Sequence, residues 1–137
     1  MILTDELCDK LCEAAKQKSR ELGFDISFAI CDNNGLLRAY RRYGEALVLS
    51  ITLVPGKAYT AAITQCKTKD VASCAAEGGT LYAIWSNDKK ITCVAGGYPL
   101  FAGGKIAGGI GVGGGTEEQD CAVAEYVVSV FDEQIKK

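Results

Sequence analysis

Between Ile91 and Val130 the chain places ten of its sixteen glycines, and this stretch limits the folds open to it more than any other. An apolar run, Ile91–Ala95, ends in Gly96-Gly97-Tyr98-Pro99. A short Leu100-Phe101 segment, a Gly103-Gly104-Lys105 turn and a strand over Ile106–Val112 follow, and then Gly113-Gly114-Gly115 leads to Thr116. Thr116 and Gln119 have the spacing of a capping box. The helix they open carries Cys121, Ala124, Val128, Phe131 and Ile135 on one stripe. Glycines inside a strand either let another element pack on bare backbone or leave room for a flat ligand. Strand, glycine cluster and capped helix in succession also make a candidate anion site at the helix entrance.

Two formal motifs in this stretch reduce to simpler readings. Gly109-Ile110-Gly111-Val112-Gly113-Gly114 matches GxGxxG, but a dinucleotide site needs a following helix that leads to a second parallel strand, with an acidic residue beyond. Gly104-Lys105 lacks the upstream glycine and the following hydroxyl of a phosphate loop, and reads as a hairpin turn.

The remaining elements follow from periodicity and punctuation. Thr4 caps a helix with Leu7, Leu11, Ala14, Ala15 and Leu22 at helical spacing, stopped by Gly23. Phe24–Cys31 and Leu36–Tyr43 are paired strands around the Asp32-Asn33-Asn34-Gly35 turn. Ala46–Ile51 reads as strand or helix. Gly56–Lys67 is helical, with a small-residue face of Ala58, Ala61, Ala62 and Cys66, and Thr68–Ala76 is a second short helix. Three strands or half-strands follow at Ile91–Ala95, Tyr98–Phe101 and Ile106–Val112. Hairpins flanked by helices predict an α+β fold, a single domain over residues 1–137.

The chain contains no histidine, which removes the commonest general base and the commonest metal ligand. No Ser/His or Cys/His constellation can be assembled, so no catalytic residues are assigned. Seven cysteines form an odd count without a CxxC pair and read as reduced, mostly core thiols. Cys8 and Cys12 lie one helical turn apart but lack further metal ligands. A net charge of −2 argues against a nucleic-acid partner, and no apolar stretch approaches a membrane span. A cytoplasmic protein is expected.

Arg38, Arg41, Arg42 and Lys57 are the main cationic concentration, either a solvated face or a clamp for a carboxylate. The candidate binding residues are Gly96, Gly97, Pro99, Gly109 and Gly111 as pocket lining. Gly113, Gly114, Gly115 and Thr116, or Arg42 and Lys57, would meet an acidic group. A small-molecule-binding protein is the leading reading and a scaffold acting through its interfaces the rival. An enzyme of small acids or aldehydes, dependent on Lys57, Tyr59 or Asp120, is the third.

Several blocks in this order carry a family resemblance: Lys57-Ala58-Tyr59-Thr60-Ala61, Gly96-Gly97-Tyr98-Pro99, Gly104 through Gly114, and Glu118-Gln119-Asp120. With the Asp32–Gly35 hairpin and Arg42, they make the chain resemble the GlcG/HbpS family, which includes the C-terminal domain of PduO. The resemblance implies a profilin-like layered fold, a five-stranded antiparallel sheet flanked by helices. It further implies a homo-oligomer, tetramer or octamer, and a small-molecule ligand, with haem or another tetrapyrrole as the cofactor. PduO-type relatives accompany cobalamin-dependent diol or glycerol metabolism, often in a bacterial microcompartment. Departures are Arg42-Tyr43-Gly44-Glu45-Ala46 in place of Arg-x-Asp-Gly-Ala, and Gly113 in place of a serine. A PduO-type histidine ligand to haem has no counterpart here, which leaves Cys8, Cys12, a tyrosine, or apolar enclosure with carboxylate contacts.

Overall fold

The computed structural model describes residues 2–137. Its elements in order are α1 (Asp5–Leu22), β1 (Ser27–Asp32), β2 (Leu37–Arg42), α2 (Ser50–Thr64), α3 (Thr68–Ala75), β3 (Gly97–Ala102), β4 (Lys105–Gly113) and α4 (Glu117–Ile135). A short 3-10 turn at Ile84–Ser86 lies between α3 and β3. The strands form one sheet of order β2-β1-β4-β3, antiparallel throughout.

Local chemistry sets the boundaries. Thr4 Oγ1 accepts the Leu7 N–H at 3.1 Å to start α1, and Gly23 closes it at φ +81°. Between β1 and β2, Asp32 Oδ1 accepts the Asn34 and Leu36 N–H groups at 2.8 and 3.0 Å. Thr116 and Gln119 complete the capping box of α4 in both directions.

Strand alternation divides the sheet into two unlike faces. Phe28, Ile30, Leu100, Ile110 and Val112 point to one side, where α1 and α4 bring Leu7, Leu11, Ala15, Val123, Val127 and Phe131. The other side is made of small residues. Ala29 stands opposite Gly111, Cys31 opposite Gly109 and Ser27 opposite Gly113. Onto this shallow face α2 lays Val54, Ala58 and Ala62. A Cβ on Gly109 would meet the Ala58 carbonyl oxygen at 2.4 Å, and one on Gly111 the Val54 carbonyl oxygen at 2.4 Å. The helix therefore packs on bare backbone, and no space remains beside these two glycines for a flat ligand.

Among the described residues the sheet has four strands, not the five that the family resemblance implies. Ile91–Ala95 is not a strand. Its Thr92 N–H is given to Thr60 Oγ1 at 2.8 Å, on α2, and the Ile91 side chain is buried. Tied to a helix, the segment joins the sheet just past its end, where the Gly96 carbonyl accepts the Val112 N–H at 3.0 Å. α2 also starts earlier than its small-residue face suggests, at Ser50, and continues through Pro55. The residue before it, Leu49, makes no side-chain cap, so the start carries no capping signal.

Candidate functional site

The most unusual side chain in the structure is Lys57, on the face of α2 turned towards β4. It is 1% exposed, yet it carries an ammonium. Lys57 Nζ donates to the Val112 carbonyl at 2.8 Å and stands 3.6 Å from Asp120 Oδ2. Asp120, near the start of α4, is 5% exposed, and its Oδ1 accepts the Gly115 N–H at 2.9 Å. Thus β4, the glycine loop and α4 all converge on one lysine.

The glycines explain how the amine fits. A Cβ on Gly96 would lie 2.9 Å from Lys57 Nζ, and one on Gly113 would lie 3.5 Å away. On Gly97 it would lie 2.6 Å from the Lys57 carbonyl oxygen. Part of the glycine cluster therefore clears a passage for Lys57 itself.

Burial pulls the Lys57 ammonium below its ordinary range, while the charge of Asp120 opposes that shift. Burial pushes the Asp120 carboxyl above its ordinary range, against the Gly115 N–H and the charge of Lys57. At this separation and an effective dielectric of 20, Coulomb attraction is worth roughly 5 kcal/mol. Withdrawing two ions from water costs several kcal/mol each. Attraction and desolvation are thus of similar size, and the hydrogen bonds to Val112 and Gly115 help to hold the pair in place.

A cleft of about 490 Å³ opens over the pair, between the start of α2, α3, residues 93–95 and the entrance to α4. Lys57 and Asp120 are in its lining, with Leu47, Leu49, Leu53 and Val94 as apolar wall. Lys69, Glu117 and Cys93 supply the other functional groups. Burial raises the Cys93 thiol above its usual range, so it lines the cleft as a neutral group.

Of the residues singled out from the sequence, Lys57, Gly114, Gly115 and Asp120 line this cleft. Gly96 and Gly97 crowd Lys57 as just described, Gly113 makes room chiefly for Val54, and Gly109 and Gly111 lie beneath α2. Pro99 sits in β3 opposite Gly109. Arg42 gives its Nε–H to the Ala46 carbonyl at 2.8 Å and does not join Lys57 in a clamp. Thr116 is occupied in capping. An incoming anion at the glycine turn would meet the Asp120 carboxylate already on the Gly115 N–H, so this helix entrance is capped from within. Sequence reasoning missed Lys69, Cys93 and the apolar wall. The one available signal was the unplaced run Leu47–Ile51, too apolar for an ordinary surface loop.

Cys8 is buried in the core and Cys12 is half-buried, its carbonyl accepting the Tyr43 hydroxyl at 3.0 Å. Neither lines the cleft, so thiolate ligation of a group bound there does not come from α1. Among the described residues, no three side chains of Cys, Asp or Glu are grouped to hold a metal ion, and no helix is long and apolar enough to cross a membrane.

Comparison with known proteins adds to this geometry. Residues 3–129 match the family described as haem degrading protein HbpS-like. The chain belongs to that family. This HbpS-like chain is 32% identical over 125 residues to an uncharacterized 15.0 kDa protein of the dhaT-dhaS intergenic region of Citrobacter freundii, covering 90% of this chain and 88% of the relative. It is also 32% identical over 133 residues to the corrinoid adenosyltransferase PduO of the same organism. That match covers 96% of this chain but 40% of PduO, so the HbpS-like chain spans under half of that relative. Among solved structures it superposes on a PduOC:heme complex with a TM-score of 0.88 at 30% identity, covering 93% of each chain.

Proposed function

We propose that this HbpS-like chain is a small-molecule-binding protein whose ligand occupies the cleft over Lys57 and Asp120. The observation that carries this reading is a buried ion pair, each member hydrogen-bonded to main chain, at the base of an apolar-walled opening of about 490 Å³. Apolar lining with a few convergent polar groups is the usual character of a ligand site. Haem or another tetrapyrrole is the candidate ligand, supported by the relative solved as a PduOC:heme complex. The cleft's own residues fit apolar enclosure of such a group by Leu47, Leu49, Leu53 and Val94, with Lys69 placed for a carboxylate. Haem bound there would supply redox chemistry, and the chain's part would be to enclose and orient it. Kinship to PduO supports a place beside cobalamin-dependent diol or glycerol metabolism, in the cytoplasm or a microcompartment lumen.

Haemin titration tests this reading. A saturable shift of the Soret band in the wild type, lost in Leu49→Glu, is expected. No shift at micromolar protein overturns haem as the ligand.

Assembly is the second reading, and one observation favours it. Leu47, Val48, Leu49 and, past the buried Ser50, Ile51 are 60%, 68%, 59% and 48% exposed. Such an apolar run marks a contact surface, here between copies of the chain as a homo-oligomer, tetramer or octamer. Leu47 and Leu49 belong to both cleft and run, so assembly would narrow the mouth. Native mass spectrometry should show higher species in the wild type and a monomer in Val48→Glu.

A further inference from the structure

The cleft reading leaves the ion pair on its floor without a task, and the following inference rests on that reading. Lys57 is a primary amine at the base of the opening, engaged by one hydrogen bond to the Val112 carbonyl and by Asp120 at 3.6 Å. Gly96 and Gly113 flank it without a side chain to cover it. Asp120 is held from behind by the Gly115 N–H on Oδ1, which leaves Oδ2 facing the amine. Every other lysine in the chain is at least partly exposed. Lys57 alone combines removal from water, which favours the neutral nucleophile, with a carboxylate in place to hold its proton. A desolvated amine with such a partner is suited to condensing with carbonyl compounds.

We propose that Lys57 captures small aldehydes as an imine, with Asp120 as the proton carrier. The ammonium first passes a proton to Asp120. The nitrogen lone pair then attacks the carbonyl carbon, the carbon–oxygen π pair moves to oxygen, and a proton moves from nitrogen to that oxygen, giving a carbinolamine. Asp120 returns its proton to the hydroxyl, which leaves as water while the nitrogen lone pair closes the double bond. The net change is ammonium plus aldehyde to protonated imine plus water, with no oxidant or reductant. The new cation remains beside the Asp120 carboxylate. An aldehyde suits the site better than a ketone, because its hydrogen leaves one side of the carbonyl open where Lys57 is 1% exposed.

The test is to incubate the full chain with propanal and sodium cyanoborohydride at pH 7, which fixes any imine as a secondary amine, and to map the propyl group by peptide mass spectrometry. Lys57 should be modified ahead of every exposed lysine, because removal from water favours its neutral, nucleophilic form. Lys57→Arg should abolish that label alone, and Asp120→Asn should slow it. Should Lys57→Arg fail to fold, the wild-type map decides. Labelling of exposed lysines before Lys57 overturns the proposal. Haemin binding that persists and is lost in Leu49→Glu, with Lys57 unlabelled, sinks imine capture and leaves the cleft reading intact. Failure of both measurements removes both.

Discussion

A methyl group placed on Gly111 would come within 2.4 Å of the Val54 carbonyl oxygen and 2.9 Å of the Ala58 nitrogen. Neither atom can yield, because both belong to the backbone of α2. Gly111→Ala should therefore force helix and sheet apart, destabilising the chain by about 3 kcal/mol or more. Chemical denaturation of Gly111→Ala should show a clearly lowered midpoint. A midpoint equal to wild type would mean that α2 does not sit this close.

Breaking the buried pair from one side should cost more than removing it altogether. Lys57→Met leaves the Asp120 charge buried alone, and loss of about 3–5 kcal/mol is expected. Adding Asp120→Asn, which keeps an acceptor for the Gly115 N–H, should recover part of that loss. A double-mutant cycle by urea denaturation checks this. Strictly additive losses would show that the two groups do not interact.

Thr60 links the cleft to the back of α2 through its acceptance of the Thr92 N–H at 2.8 Å. Thr60→Val keeps the shape and leaves that N–H without its partner, at a cost of about 1–3 kcal/mol. Residues 91–95 should loosen, and Cys93 should react faster with a thiol reagent than in the wild type. Unchanged Cys93 kinetics would remove Thr60 as the anchor of this wall.

Alkaline pH should destabilise the chain through its buried acids. Burial raises Cys31 from 9.0 to about 12, Cys12 from 9.0 to about 11 and Tyr43 from 10.0 to about 12. In each case the unfolded chain loses the proton first. The stability these groups confer is thus complete below pH 9 and is lost as pH climbs towards 12. Each such thiol contributes a slope of about 1.4 kcal/mol per pH unit in that window. Melting temperature should fall above pH 9, less steeply in Cys31→Ala. A variant with the same slope as wild type would exclude Cys31 as a contributor.

Much of this architecture is legible in the residues, and the parts that are not have physical causes. α1, α4 and the β1–β2 hairpin announce themselves through Thr4, Gly23, Asn34-Gly35 and the Thr116–Gln119 box, all of which act locally. The Ile91–Ala95 segment reads as a strand because Ile91, Val94 and Ala95 are apolar. Its true partner, Thr60, lies 32 positions away in sequence and leaves no local trace. The start of α2 is hidden for the opposite reason, since no side chain caps it. At the site, the glycine cluster points to the right region without revealing what the glycines accommodate. They make way chiefly for a helix and for Lys57, both supplied from an earlier part of the chain. A lysine inside a small-residue helix face is also the kind of residue that pattern reading assigns to water.

The two rims of the sheet are unfit for lateral growth. β2, on one side, carries Arg38, Arg41 and Arg42, and β3, on the other, contains Pro99, which has no N–H to offer a neighbour. Charge and proline on outer strands discourage ribbon-to-ribbon joining. Pairing of one copy's sheet with another's along either rim, the first step of fibre-like stacking, is thereby disfavoured.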